Sequence, residues 1–101
     1  MSTHAELDNV LQESKPTLME FYADWCPHCQ KMMPIVEELR VIEGDKINIM
    51  QIEGDQNPDL MEKYHVRSYP TWIIMKDGQE VWRDGGEKPL SELRDMVERF
   101  I

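Results

Sequence analysis

Cysteine is scarce in this 101-residue chain. There are two, Cys26 and Cys29, too few for the cross-linked framework of small secreted scaffolds. Positive charge is also short: eleven Lys and Arg face twenty Asp and Glu, a formal net charge of -9. That balance argues against nucleic acid as a partner, because phosphate recognition needs a cationic face, and against docking on anionic lipid. No apolar run approaches the ~20 residues that span a bilayer, so no membrane partner is expected. The first residues, Met1 to Asp8, carry neither a basic n-region nor an apolar h-region, so no secretory leader is expected. The protein reads as cytoplasmic, or as periplasmic or secreted if a leader has been removed. Repeats, low-complexity tracts and linkers are missing too, and the length fits one domain over residues 1–101.

What is present is a clear alternation of patterns. Leu7, Val10 and Leu11 mark a short amphipathic helix over residues 5–13, stopped by Ser14-Lys15-Pro16. Thr17 to Ala23 reads as a strand covered on both faces, with one carboxylate, Glu20, in its middle. From Cys26 to about Ile42 the apolar residues Met32, Ile35, Val36, Leu39 and Ile42 repeat at helical spacing, and Met33 is placed on the buried face as well. Pro27 is harmless in the first turn, whereas Pro34 inside should kink the helix. Lys46 to Ile52 is a second strand, Asn57-Pro58 opens a short helix, and Thr71 to Met75 is a third buried strand. Asp77-Gly78 signals a hairpin to a strand over Glu80 to Arg83, and Pro89 opens a last helix striped by Leu90, Leu93, Val97 and Phe100. Strands separated by helices, followed by a hairpin, imply a mixed sheet and an α/β fold. Trp72 and Trp82 read as packing, the eight Met residues as core filler, and His4 and His65 as surface residues.

The chemistry centres on Trp25-Cys26-Pro27-His28-Cys29, between a strand and a helix. Thiols at i and i+3 in a first helical turn lie on one side, close enough to join with little strain. Unpaired N–H groups at that helix end favour negative charge and so a Cys26 thiolate, which suits thiol–disulfide exchange. A protonated His28 would add positive charge nearby. Two other readings compete. One is an inert stapled turn, disfavoured because so short a loop restrains the unfolded chain little. The other is a zinc site, for which two thiols supply only half a tetrahedral shell and no further ligand pair has suitable spacing.

From Glu20 to the last helix, about four fifths of the chain, the sequence resembles the thioredoxin family in one register. The matching residues are Phe21-Tyr22-Ala23-Asp24-Trp25-Cys26, Pro34, Asp55-Gln56-Asn57-Pro58, Tyr69-Pro70-Thr71, Asp77-Gly78 and Gly86. The resemblance implies a thioredoxin fold, an α/β twisted mixed sheet of about four strands flanked by helices on both faces. It implies Cys26 as attacking thiol, Cys29 as resolving thiol and a cis Pro70 facing them. The backbone of Tyr69 would pair with an extended substrate segment. Trp25, Pro27, His28, Tyr69, Pro70 and Gly86 would form the surface around an exposed Cys26. Glu20 would lie behind Cys29 and accept its proton, directly or through water. The implied partners are disulfide-containing proteins and a reductase or oxidase that resets the cysteine pair. The chain would act as a monomer, without metal or organic cofactor.

Three departures from the family pattern matter. Almost nothing precedes the first helix, so four sheet strands are expected where relatives often have five. Pro27-His28 replaces the Gly-Pro typical of thioredoxin; it resembles the oxidant DsbA, and a His there is shared with protein disulfide isomerase. The buried acid is Glu20 rather than Asp, and Gln51 stands where a lysine often accompanies it. Without that cation, desolvation should push the Glu20 pKa up. A non-catalytic binding module with the same fold remains a rival reading, and the direction of exchange, reductase or oxidase/isomerase, stays open.

Overall fold

The computed structural model describes residues 3–101. Met1 and Ser2, part of the stretch read as lacking a leader pattern, lie outside the described residues. The elements, in chain order, are α1 (Thr3–Leu11), β1 (Thr17–Tyr22), α2 (Pro27–Glu43), β2 (Asn48–Glu53), α3 (Pro58–Lys63), β3 (Thr71–Lys76), β4 (Gln79–Gly85) and α4 (Leu90–Glu98). Their order and type match the reading from sequence, with ends shifted by at most two residues.

The sheet has four strands in the order β2-β1-β3-β4. β1 pairs parallel with β2 and antiparallel with β3, and β3 and β4 form the hairpin. Central strands are covered on both faces, which is why β1 and β3 consist mostly of large apolar residues. Strand alternation splits the core in two. Leu18, Trp72 and Ile74 face α2 and α4, meeting Met32, Val36, Leu39, Leu93 and Val97. Met19, Phe21, Ile52 and Ile73 face the other way, against Leu7 of α1 and Leu60 of α3. Truncating such a residue, Leu18→Ala for example, costs about 2–5 kcal/mol.

Two details of α2 differ from expectation. Its buried line runs Cys29, Met32, Val36, Leu39 and Glu43, steps of three and four residues. Met33 and Ile42 fall to the flanks of that line and are 43% and 38% exposed. Glu43 takes the inner place at the end, where Arg94 Nε reaches its Oε1 at 3.4 Å. Pro34 is accommodated within the continuous span of α2. The sheet order brings the C-terminal end of β1, the start of α2 and the segment before β3 to one place, and the cysteines are there.

Candidate active site

Cys26 is the residue that caps α2, with Pro27 in the first turn. Its N–H donates to Ala23 O at 3.1 Å, and Gln30 N–H donates to Cys26 O at 3.0 Å, so strand end and helix start are tied together. Both cysteines are free thiols. Neither is open to solvent as a residue: Cys26 is 4% exposed and Cys29 2%, which corrects the expectation of an exposed Cys26. Ala23, Tyr22 and Tyr69 pack around the pair. Accessibility therefore does not separate the two thiols. Acidity marks Cys29: burial pushes its thiol up to about 12, helped by the charges of Cys26 and Glu20 and opposed by a hydrogen bond to the Ala23 backbone.

The facing segment comes from the loop before β3. The Tyr69–Pro70 peptide is cis, and the Cys26 thiol donates to Tyr69 O at 3.8 Å. Gly86, just after β4, has φ +89°, a conformation that L side chains rarely adopt, and its N–H donates to Pro70 O at 2.9 Å. Trp72 Nε1 donates to Gly86 O at 2.8 Å. Trp72 is thus more than packing, since the buried indole ties this glycine to the core.

Trp25 is 66% exposed. Its ring meets that of Tyr69 edge to face, with centroids 5.9 Å apart. One carboxylate holds both: Asp55 accepts from Trp25 Nε1 at 2.6 Å and from Tyr69 OH at 2.9 Å. Burial, with Asp55 adding to it, pushes the Tyr69 phenol up to about 12, so it stays a donor. Tyr69 also lies over Gly54, where a Cβ would come within 2.2 Å of its hydroxyl. Asp55 belongs to the stretch that carried the family resemblance but was given no role from sequence. Its signal was positional: Glu20 pairs with Gln51 and Tyr22 with Glu53, a register that continued past the strand ends sets Asp55 opposite Asp24, one residue before Trp25.

His28 is exposed and turned to the side. Its ring shares a hydrogen bond, Nδ1 to Glu87 Oε2 at 2.5 Å, and Lys31 approaches the same oxygen at 3.9 Å. The His28 contact, more than Lys31, holds the Glu87 carboxyl below its ordinary value. A positive His28 therefore has a counter-charge at hand, which the sequence did not reveal.

Glu20 is fully buried on the face of β1 that looks toward α2. Desolvation raises its pKa from 4.5 to about 7, against a hydrogen bond from Gln51 Nε2 to Oε1 at 3.0 Å. Oε2 has no hydrogen-bond partner among the described residues. The expected upward shift is present, though the residue standing where a lysine often occurs does make contact. A cleft of about 170 Å³ opens beside Cys29, lined by Tyr22, Ala23, Asp24, Gln30 and Met33. His4 and His65 are exposed, and His4 pairs with Asp59 at 2.6 Å. Among the described residues no group of three or more His, Cys, Asp or Glu side chains converges to hold a metal ion.

The family model described as Thioredoxin matches residues 1–99. The chain belongs to the thioredoxin family. Thioredoxin of Rhodospirillum rubrum is 38% identical over 94 residues, covering 93% of this chain and 90% of that protein. The chloroplastic thioredoxin Y of rice, Oryza sativa subsp. japonica, is 36% identical over 100 residues. This chain is 98% covered in that match but spans only 60% of the rice protein. Among solved structures, the thioredoxin of Fasciola hepatica superposes with a TM-score of 0.88 at 29% identity, covering 97% of this chain and 94% of that one. Thioredoxins are disulfide oxidoreductases, and the Cys26–Cys29 spacing fits the redox motif of the family. No helix among the described residues is long and apolar enough to cross a membrane.

Proposed function

We propose that the protein exchanges its Cys26–Cys29 dithiol with the disulfides of protein substrates. The Cys26 thiolate attacks one sulfur of a substrate disulfide; the new bond joins Cys26 to substrate, and the second substrate sulfur leaves and takes up a proton. Cys29 then gives its proton to Glu20, directly or through a water in the adjoining cleft, and its sulfur attacks Cys26 Sγ. The mixed disulfide breaks, the substrate leaves as a dithiol reduced by two electrons, and Cys26–Cys29 is left oxidised by two. Reversal of these steps donates the disulfide. An upstream reductase or oxidase resets the pair, and the exchange needs no metal or organic cofactor. Trp25, Pro27, His28, Tyr69, Pro70 and Gly86 form the docking surface, on which an extended substrate segment pairs with the backbone of Tyr69.

One observation carries this reading: two free thiols one helical turn apart at the start of α2 face the Tyr69–Pro70 segment, and the buried Glu20 carboxyl, raised to about 7, acts on Cys29 behind them. A group that ionises close to the working pH both takes and returns a proton readily. Insulin reduction by dithiothreitol tests it. Rate enhancement is expected from the protein, and from Cys26→Ser none; a pure binding module would give none in either case.

The direction of exchange is read from the potential. Thioredoxin lies at ~-270 mV, protein disulfide isomerase at ~-180 mV and DsbA at ~-120 mV. A value of about -240 to -180 mV is expected, because Pro27-His28 stabilises the reduced pair and so makes its disulfide the stronger oxidant, while the -9 charge and the Glu87 counter-charge restrain that effect.

A further inference from the structure

Behind the thiols the buried acid is connected to the surface by a chain of hydrogen bonds. Glu20 and Gln51 are paired across β1 and β2, so their side chains emerge side by side on the α2 face. Gln51 Nε2 donates to Glu20 Oε1 at 3.0 Å, and Arg40 Nη2, from α2, donates to Gln51 Oε1 at 3.1 Å. Arg40 is anchored in turn, with Nη1 donating to Ile49 O at 3.4 Å and Nε 3.7 Å from Glu37 Oε1.

An amide is two-faced. With Nε2 toward Glu20 it rewards the ionised carboxylate, which only accepts; with Oε1 toward Glu20 it rewards the protonated acid, which donates. Burial alone favours the second arrangement. A guanidinium has donors and no acceptor, so a guanidinium at the far end of Gln51 can be satisfied only by Oε1. That choice turns Nε2 inward. We propose that Arg40 is a positioning residue for the deprotonation of Cys29: by fixing which end of the Gln51 amide faces Glu20, it sets how readily Glu20 gives up and takes a proton. The proposal rests on the reading of Glu20 as proton acceptor. It assigns to a pair, Gln51 and an exposed arginine one helix away, the work of a directly buried cation. Glu20 in turn raises the titratable groups nearest it, the Cys29 thiol on α2 and the Tyr22 phenol on β1.

The test follows the Glu20 carboxyl by 13C NMR across pH in the oxidised protein, where the cysteines no longer titrate. A charged donor in series strengthens the next hydrogen bond by roughly 10–30%. Arg40→Met is therefore expected to raise the Glu20 midpoint by about 0.1–0.7 pH units, with Arg40→Lys recovering at least half of that. Gln51→Met should raise it by about one unit or more, and Arg40→Met added to Gln51→Met should do nothing further, because the link is already cut. In the reduced protein, the pH midpoint of mixed-disulfide resolution should move with the NMR midpoint. An unchanged midpoint in Arg40→Met, or an equal shift whether or not Gln51 is present, overturns the proposal. Failure of the parent reading looks different: Glu20→Gln would then resolve mixed disulfides at the wild-type rate, whatever Arg40 does to the NMR titration.

Discussion

Glu20→Gln keeps the shape of the buried carboxyl and removes its charge, which makes it a test of both stability and mechanism. The unfolded chain releases this proton near 4.5 and the folded protein only near 7. Between those values the folded state holds more protons than the unfolded one, so stability falls as pH rises. Its cost to the folded state, about 3 kcal/mol from a shift of this size, is absent below pH 4.5 and complete above about pH 7. The Gln51 hydrogen bond can be kept in weaker form, since Nε2 can donate to the neutral side-chain amide oxygen that the substitution introduces. Urea unfolding of the reduced protein in a phosphine reductant should therefore show equal stability at pH 4 and a gain of about 2–3 kcal/mol for the variant at pH 8. For a domain of this size that is upwards of about 10 °C in Tm.

The same variant should resolve mixed disulfides more slowly, on the order of 10²-fold, because a thiol near 12 loses its positioned acceptor. Greater resistance to unfolding and slower chemistry together are a combination that a merely structural carboxylate would not give. A variant no more stable than wild type at pH 8, or a stability difference that does not change between pH 4 and pH 8, would refute the reasoning about desolvation.

Cys29→Ser is expected to accumulate mixed disulfides with protein substrates while Cys26→Ser accumulates few, read on non-reducing gels; faster iodoacetamide labelling of Cys29 than of Cys26 in the reduced protein would reverse the roles. Asp55→Ala removes the acceptor shared by Trp25 and Tyr69; KM for a protein disulfide should rise several-fold with little change toward dithiothreitol, and Trp25 fluorescence should shift. Gly54→Ala should displace the Tyr69 ring, which a new Cβ would approach to 2.2 Å, and cost about 1–3 kcal/mol in stability. Replacing Pro27-His28 by Gly-Pro should move the potential in the reducing direction, and Glu87→Gln, which removes a negative charge beside His28 and Lys31 near the start of α2, should move it the other way by an amount on the order of 10 mV. No movement in either variant would show that His28 does not set the bias.

Much of this was legible from residue order, for a reason specific to each element. The strands announce themselves because β1 and β3 are buried on both faces, and a continuous apolar run is the consequence. Glu20 stands out because a lone carboxylate in such a run is costly. Asp77-Gly78 marks the hairpin through backbone chemistry, with both residues at positive φ. What stayed hidden depends on contacts between distant segments. Whether Met33 or Glu43 faces inward is decided by a shift of one residue in the helical line, and the periodicity of α2 tolerates either. Glu87, Arg40 and Asp55 are ordinary charged residues in a strongly acidic chain; only the sheet order brings each to His28, Gln51 and Trp25.

That sheet order gives β2 a part in the chemistry, although it contributes no cysteine. The parallel register sets residues 48–53 alongside 17–22, and the side chains that brace the site come from β2 and its continuation at every second position. Gln51 reaches Glu20, Glu53 Oε2 accepts from Asp24 N–H at 3.4 Å, and Asp55 accepts from the Trp25 indole. Two positions of one strand and one in the turn that follows it thus hold the proton acceptor inside, the turn that leads into Cys26, and the docking surface outside. Period-two alternation puts Gln51 and Glu53 on one side of β2, and the turn over residues 54–56 carries Asp55 on to the Trp25 indole. A one-residue slip of β2 against β1 would turn Gln51 and Glu53 away together. The spacing of the two cysteines is a local matter of one helical turn, but their setting, buried acid on one side and aromatic surface on the other, is fixed by pairing between two strands.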